Sequence, residues 1–100
     1  MAKGYWVANI DVHDPDGYKA YVAANAAPLK QFGAKFLTRG GKSESVEGKF
    51  RSRVVVIEFP SYEAALDCYH SPDYQKAKAL RIGKGVGEIV VIEGYDGPQP

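Results

Sequence analysis

The sequence predicts an α+β sandwich, one antiparallel sheet with helices on a single face. Three observations lead there. Short apolar runs rich in β-branched and aromatic residues alternate with longer stretches at helical spacing. The helical stretches open on Asp14-Pro15, on Ser61 and on Ser71-Pro72, which are capping signals. With 100 residues, the chain has material for one core, and residues 1–100 are expected to form one domain, the core spanning about 4–95 and a turn-rich tail, 96–100, being mobile.

The elements follow in order. Tyr5 to Val12 (YWVANIDV) reads as a strand whose Trp6, Ala8, Ile10 and Val12 face is apolar, opposite a face of Tyr5, Val7, Asn9 and Asp11. Asp14 caps a helix with Pro15 at its first position; Tyr18, Tyr21, Val22, Asn25, Leu29 and Phe32 share its inner side, and Gly33 stops it. Pro28 inside this stretch is expected to kink the helix or end its regular part early. Ala34 to Thr38 is a second strand leading into Arg39-Gly40-Gly41, and Ser43 to Glu47 a short edge extension. Arg53 to Phe59 (RVVVIEF) is a nearly unbroken apolar run and reads as a central strand. A helix from Ser61 breaks and restarts at Ser71-Pro72-Asp73, and Gly83, Gly85 and Gly87 mark the exit to a last strand, Glu88 to Glu93.

The order β-α-β-(β)-β-α-β is that of the ferredoxin-like split βαβ arrangement. Helices can cover only one face of its sheet. Strands that read RVVVIEF and EIVVIE point apolar side chains both ways, so the other face needs a cover, and a second copy's sheet supplies one. The expected partner is therefore the chain itself, as a homodimer through the sheet face.

Composition narrows the function classes. Thirteen basic and twelve acidic residues are interspersed and leave a net charge of +1, which is no footprint for nucleic acid. The opening YWVANIDV is too short and too interrupted by Asn9 and Asp11 for a membrane span or signal-peptide core. The single cysteine, Cys68, cannot form an intramolecular disulfide, which points to a reducing compartment. The expectation is a cytoplasmic protein without a membrane partner.

Four ordered motifs carry a family likeness: Asp14-Pro15-x-x-Tyr18-x-x-Tyr21, Phe36-Leu37-x-Arg39-Gly40-Gly41, Val56-x-Glu58-Phe59-Pro60-Ser61-x-Glu63-x-Ala65, and Tyr69-x-Ser71-Pro72-x-Tyr74-Gln75. From about Tyr5 to about Tyr95 the chain resembles domain-of-unknown-function family 1330, in the dimeric α/β-barrel superfamily. The resemblance implies a ferredoxin-like protomer that packs its sheet against a second protomer's. It also implies a ligand pocket between sheet and helices, where that superfamily often places its ligands. The superfamily includes cofactor-free monooxygenases, an isomerase and haem peroxidases, so the likeness does not select a reaction.

Candidate residues are weighed against plainer roles. Arg39 offers a planar fork of donors for a carboxylate or phosphate; alternatively it pairs with Glu58, while Gly40 and Gly41 supply positive φ at a bend. Glu58, a carboxylate in a central strand, is a candidate acid or base, or a buried partner for Arg39 or a tyrosine hydroxyl. His70 is the other catalytic candidate, its plainer role being to complement a helix C-terminus. Asn9, Tyr21 and Tyr69 are candidate ligand contacts, although tyrosines also serve as core residues with anchored hydroxyls. His13 reads as solvated, and Cys68 as a buried inert thiol. No metal-ligand spacing and no cofactor fingerprint are present, so neither metal nor cofactor is expected.

Two functional readings follow. In the first, a small organic acid or aromatic ligand is bound in a pocket lined by Asn9, Tyr21, Arg39, Glu58, Tyr69 and His70, with any chemistry being cofactor-free acid–base or oxygenase chemistry. In the second, the protein is a non-catalytic structural or interaction protein whose Arg39–Glu58 pair only completes fold and dimer.

Overall fold

The computed structural model describes residues 2–100. Its elements are β1 (Gly4–Val12), α1 (Pro15–Gln31), β2 (Lys35–Arg39), β3 (Arg53–Phe59), α2 (Tyr62–His70), α3 (Pro72–Ala79) and β4 (Gly85–Glu93). They form two split βαβ units, with one four-stranded sheet in the order β2-β3-β1-β4 and every adjacent pair antiparallel. β3 is internal, as its apolar run predicts.

The capping chemistry acts as the sequence suggests. Asp14 Oδ1 accepts from the Gly17 amide at 3.0 Å, and Ser61 Oγ from the Ala64 amide at 3.0 Å. Ser71 serves two helices: its hydroxyl donates to the Cys68 carbonyl at the end of α2 and accepts from the Tyr74 amide at the start of α3. Gly33 stops α1 at φ 74°.

Register divides the side chains between two faces. Trp6, Ala8, Ile10, Val55, Ile57 and Phe59 turn toward the helices, where Trp6, Ala8, Val55, Ile57 and Phe59 are buried together with Tyr74, Ala65 and Cys68. Trp6 donates its indole N–H to the Ala65 carbonyl at 2.8 Å and packs its ring on Phe59 and Tyr74. Burying each such aromatic contributes about 1.5–3 kcal/mol. The opposite face carries Tyr5, Val7, Val56, Val90 and Ile92, and Val90 and Ile92 remain 54% and 51% exposed.

The structure corrects four expectations. α1 runs through Pro28 to Gln31. The ring removes one helical donor, but Pro28 and Leu29 are buried and the Pro28 carbonyl accepts from the Phe32 amide, so packing holds the last turn. Ser43 to Glu47 forms no strand, and is an exposed loop. Of the two glycines after Arg39, Gly40 alone takes positive φ, at 73°. β4 begins at Gly85 rather than Glu88: Gly85 and Gly87 pair with Val12 and Ile10 inside the ladder.

Candidate functional site

Gly85 and Gly87 lie on the helix-facing side of β4, opposite Val12 and Ile10. A Cβ at Gly87 would stand 2.5 Å from the Asn9 carbonyl oxygen, so the strands approach too closely to admit one. Both glycines line a cleft of about 250 Å³ between β1, β4, α1 and the end of α3. Its walls include Ile10 and Ile89 from the sheet, Tyr18 and Tyr21 from α1, Tyr69 from α2, and Lys78 and Arg81 from α3 and the turn after it. A smaller compartment of about 40 Å³ shares Ile10, Tyr18, Tyr21 and Ile89 with the cleft and adds Asn25, Arg39 and Arg53. Tyr18, Tyr21 and Asn25 come from one face of α1, at positions i, i+3 and i+7.

The electrostatics are one-sided. Four cations, Lys78, Arg81, Arg39 and Arg53, line the two spaces, and no carboxylate does. Among the described residues none of the four forms a salt bridge. The Arg81 guanidinium lies 5.4 Å from the Tyr21 ring centroid, and the Lys78 ammonium 5.3 Å from that of Tyr69. Arg81 Nε is buried without a hydrogen-bond partner.

Beneath Arg81 the hydroxyls of Tyr21 and Tyr74 meet at 2.8 Å. Burial, with Tyr21 adding to it, pushes the Tyr74 phenol well above its ordinary value, against the opposing pull of Arg81. Tyr74 therefore keeps its proton. The two hydroxyls share this one hydrogen bond, and neither has another side-chain or backbone acceptor among the described residues. Burial likewise raises Tyr18, with Arg81 and Arg53 pulling it down.

The six residues predicted to line one pocket do not converge. Tyr21 and Tyr69 line the cleft, and Arg39 the small compartment. Asn9 lies on the other sheet face, where it donates to Glu88 and accepts from the Arg51 amide. Glu58 is on that face too, accepting from the Tyr5 hydroxyl at 3.3 Å. His70 is exposed at the end of α2, its ring against the edge of Tyr69.

The expected Arg39–Glu58 pair does not form, and the cause is a β-bulge. Phe36 opposes Ile57 while Thr38 opposes Val56, so one extra β2 residue is inserted between them. The shift turns Arg39 to the helix-facing side, opposite Val55, where its guanidinium sits 4.0 Å above the Phe36 ring. Strict alternation from Phe36 would have put it on Glu58's face.

Sequence reasoning passed over Lys78, Arg81, Arg53 and Asn25. Asn25 was visible as the one polar residue on the inner side of α1, whereas nothing local distinguishes Arg81 from a solvated arginine. Among the described residues no three His, Cys, Asp or Glu side chains are grouped to hold a metal, and no helix is long and apolar enough to cross a membrane.

A family described as a domain of unknown function, DUF1330, matches residues 3–95. No curated protein matches the sequence. Solved structures with the same fold include a protein of unknown function from Rhodopseudomonas palustris (TM-score 0.74, 15% identity, covering 96% of this chain and 85% of that one). SnoaB, a cofactor-independent oxygenase from Streptomyces nogalater, is similar at TM-score 0.63 and 14% identity, over 100% and 97% of the two chains. A dimeric ferredoxin-like protein of unknown function from Thermobifida fusca is similar at TM-score 0.58 and 14% identity, over 92% and 89%. At these identities the likeness is one of fold.

Proposed function

The chain belongs to the DUF1330 family, whose activity is not established, and from that premise we propose that it binds a small organic anion with an aromatic or apolar body in the cleft between the sheet and α1 and α3. The observation that carries this reading is Arg81, half-buried, with no carboxylate in either wall and Nε without a partner. An uncompensated cation in a partly desolvated site is costly, and a ligand anion relieves it. Arg81 and Lys78 contact the anionic group; Tyr18, Tyr21, Tyr69 and Ile89 hold the body.

Reaction, where there is one, is cofactor-free acid–base or oxygenase chemistry at the Tyr21 hydroxyl, held by Tyr74 and next to Arg81. Glu58 and His70 lie outside the cleft of one protomer, so a catalytic role for either requires a ligand elsewhere. The same proposal has the protein act in the cytoplasm as a homodimer, the second copy covering the Val7, Val56, Val90 face; the dimeric protein of similar fold supports this. The purely structural reading is weakened because its central pair, Arg39 with Glu58, is not made.

The test is a thermal-shift and calorimetric screen of aromatic and aliphatic carboxylates against the wild type, Arg81→Ala and Arg39→Ala. An anion that binds should lose roughly 10- to 150-fold in affinity in Arg81→Ala, the worth of a hydrogen bond to a charged group. Arg39→Ala should lose less, because its guanidinium is exposed and already stacked on Phe36. Equal stabilisation of wild type and Arg81→Ala would sink the reading.

A further inference from the structure

We infer that the ligand carries, besides its anionic group, a hydroxyl that enters the small compartment and donates to Oδ1 of Asn25; the ligand class is then a hydroxylated aromatic acid rather than a plain carboxylate. The inference rests on the reading of the cleft as an anion site.

Among the described residues Asn25 is the one polar residue buried in the core layer, at 8% exposure, and its Oδ1 has no hydrogen-bond partner. A carbonyl oxygen withdrawn from water without a donor is unfavourable, and buried polar groups are otherwise almost always satisfied. Asn25 lines a compartment with Arg39 and Arg53, and neither guanidinium donates a hydrogen bond to its Oδ1. The compartment, about 40 Å³, admits a hydroxyl and excludes a ring.

Its position gives the ligand a direction. The shared walls Ile10, Tyr18, Tyr21 and Ile89 make the compartment the cleft's immediate neighbour. Along α1, Asn25 lies one turn beyond Tyr21, the residue whose ring centroid is 5.4 Å from the Arg81 guanidinium. An aromatic body lying against the two tyrosines sends its anion toward Arg81 and Lys78 and its opposite edge toward Asn25. One molecule then brings an acceptor to the Arg81 guanidinium and a donor to Asn25, the two residues that carry the orphaned polar atoms of the described side chains.

The experiment compares benzoate, 3- and 4-hydroxybenzoate, and their methoxy counterparts by calorimetry on wild type and Asn25→Leu. At least one hydroxybenzoate should bind roughly tenfold or more tighter than benzoate, since a site with a buried polar group discriminates strongly against a ligand that leaves it unpaired. The matching methoxybenzoate, which cannot donate, should show no gain. In Asn25→Leu the hydroxyl advantage should fall below about twofold while benzoate affinity holds. If benzoate binds through Arg81 but hydroxyl and methoxy are equivalent, or the hydroxyl gain survives Asn25→Leu, the inference falls and the anion site stands. If no member of the panel binds, both fall. The hydroxyl–methoxy comparison on wild type decides the matter without a variant, so poor folding of Asn25→Leu would not protect the idea.

Discussion

Tyr74 shows what a single buried phenol can do: it fills the core against Trp6 and Tyr69, and its hydroxyl shares a hydrogen bond with that of Tyr21. Tyr74→Phe keeps the ring and removes that hydrogen bond. It should cost about 1 kcal/mol, or about 4–8 °C in Tm by calorimetry. Cys68 offers a second test. Burial pushes its thiol from an ordinary 9.0 up to about 12, so native protein at pH 8 should resist iodoacetamide and label fully on unfolding. Because the folded value is the higher one, the unfolded chain ionises first, and stability should decline as pH rises from about 9 toward 12. Cys68→Ala should remove part of that alkaline decline in urea titrations. At this scale the sequence was partly legible: Tyr21 and Tyr69 were identifiable, because aromatic residues at helical spacing have only the core or a cavity to face. Asn9 and Glu58 were misplaced. Their residue types suggested a site, and only register told which side of the sheet each would occupy.

The loop from Gly40 to Ser52, read in part as an edge strand, is tied down by Arg51 instead. Its guanidinium bridges Asp11 at 3.1 Å and Glu88 at 2.9 Å, and the Arg51 and Ser52 amides donate to Asn9 and Asp11. The backbone bond from Ser52, then Arg51, holds the Asp11 carboxyl below its ordinary 3.8, and Arg51 lowers Glu88 from 4.5. With depressed folded values, this stabilisation is present above about pH 4.5 and is lost as pH falls through the lowered values. Arg51→Leu should therefore melt below wild type at pH 7, and the gap should narrow as pH falls below the ordinary carboxylate values of 4.5 and 3.8. Amide exchange at Arg51 and Ser52 should quicken in the variant. Gly87→Ala should lower Tm and weaken anion binding together, since a Cβ there meets the Asn9 carbonyl at the mouth of the cleft.

For the whole molecule, the sheet's uncovered face is the deciding feature. Val56, Val7 and Val90 stand in register across three strands, with Tyr5 and Ile92 in the next row. Val90→Glu changes a residue already 54% exposed, so it should spare the protomer while placing a charge in the proposed dimer interface. Light scattering should give twice the protomer mass for wild type and the single mass for the variant. A monomeric wild type at micromolar concentration would remove the dimer proposal.

Periodicity, capping and punctuation in the sequence determined the elements, their order and the family: strands by twos, helices by three and four, Asp14, Ser61 and Ser71 as starts. These are local preferences, and each acts within a few residues of itself. The site was decided elsewhere. One bulge between Phe36 and Thr38 moved Arg39 across the sheet. Two glycines on the edge strand line a cleft, and the turn after α3 brought Arg81 over Tyr21, 60 residues earlier in the chain. Register and the packing of distant segments are properties of the assembled sheet and helices, so only the tertiary structure could say which charges gather without a counterion.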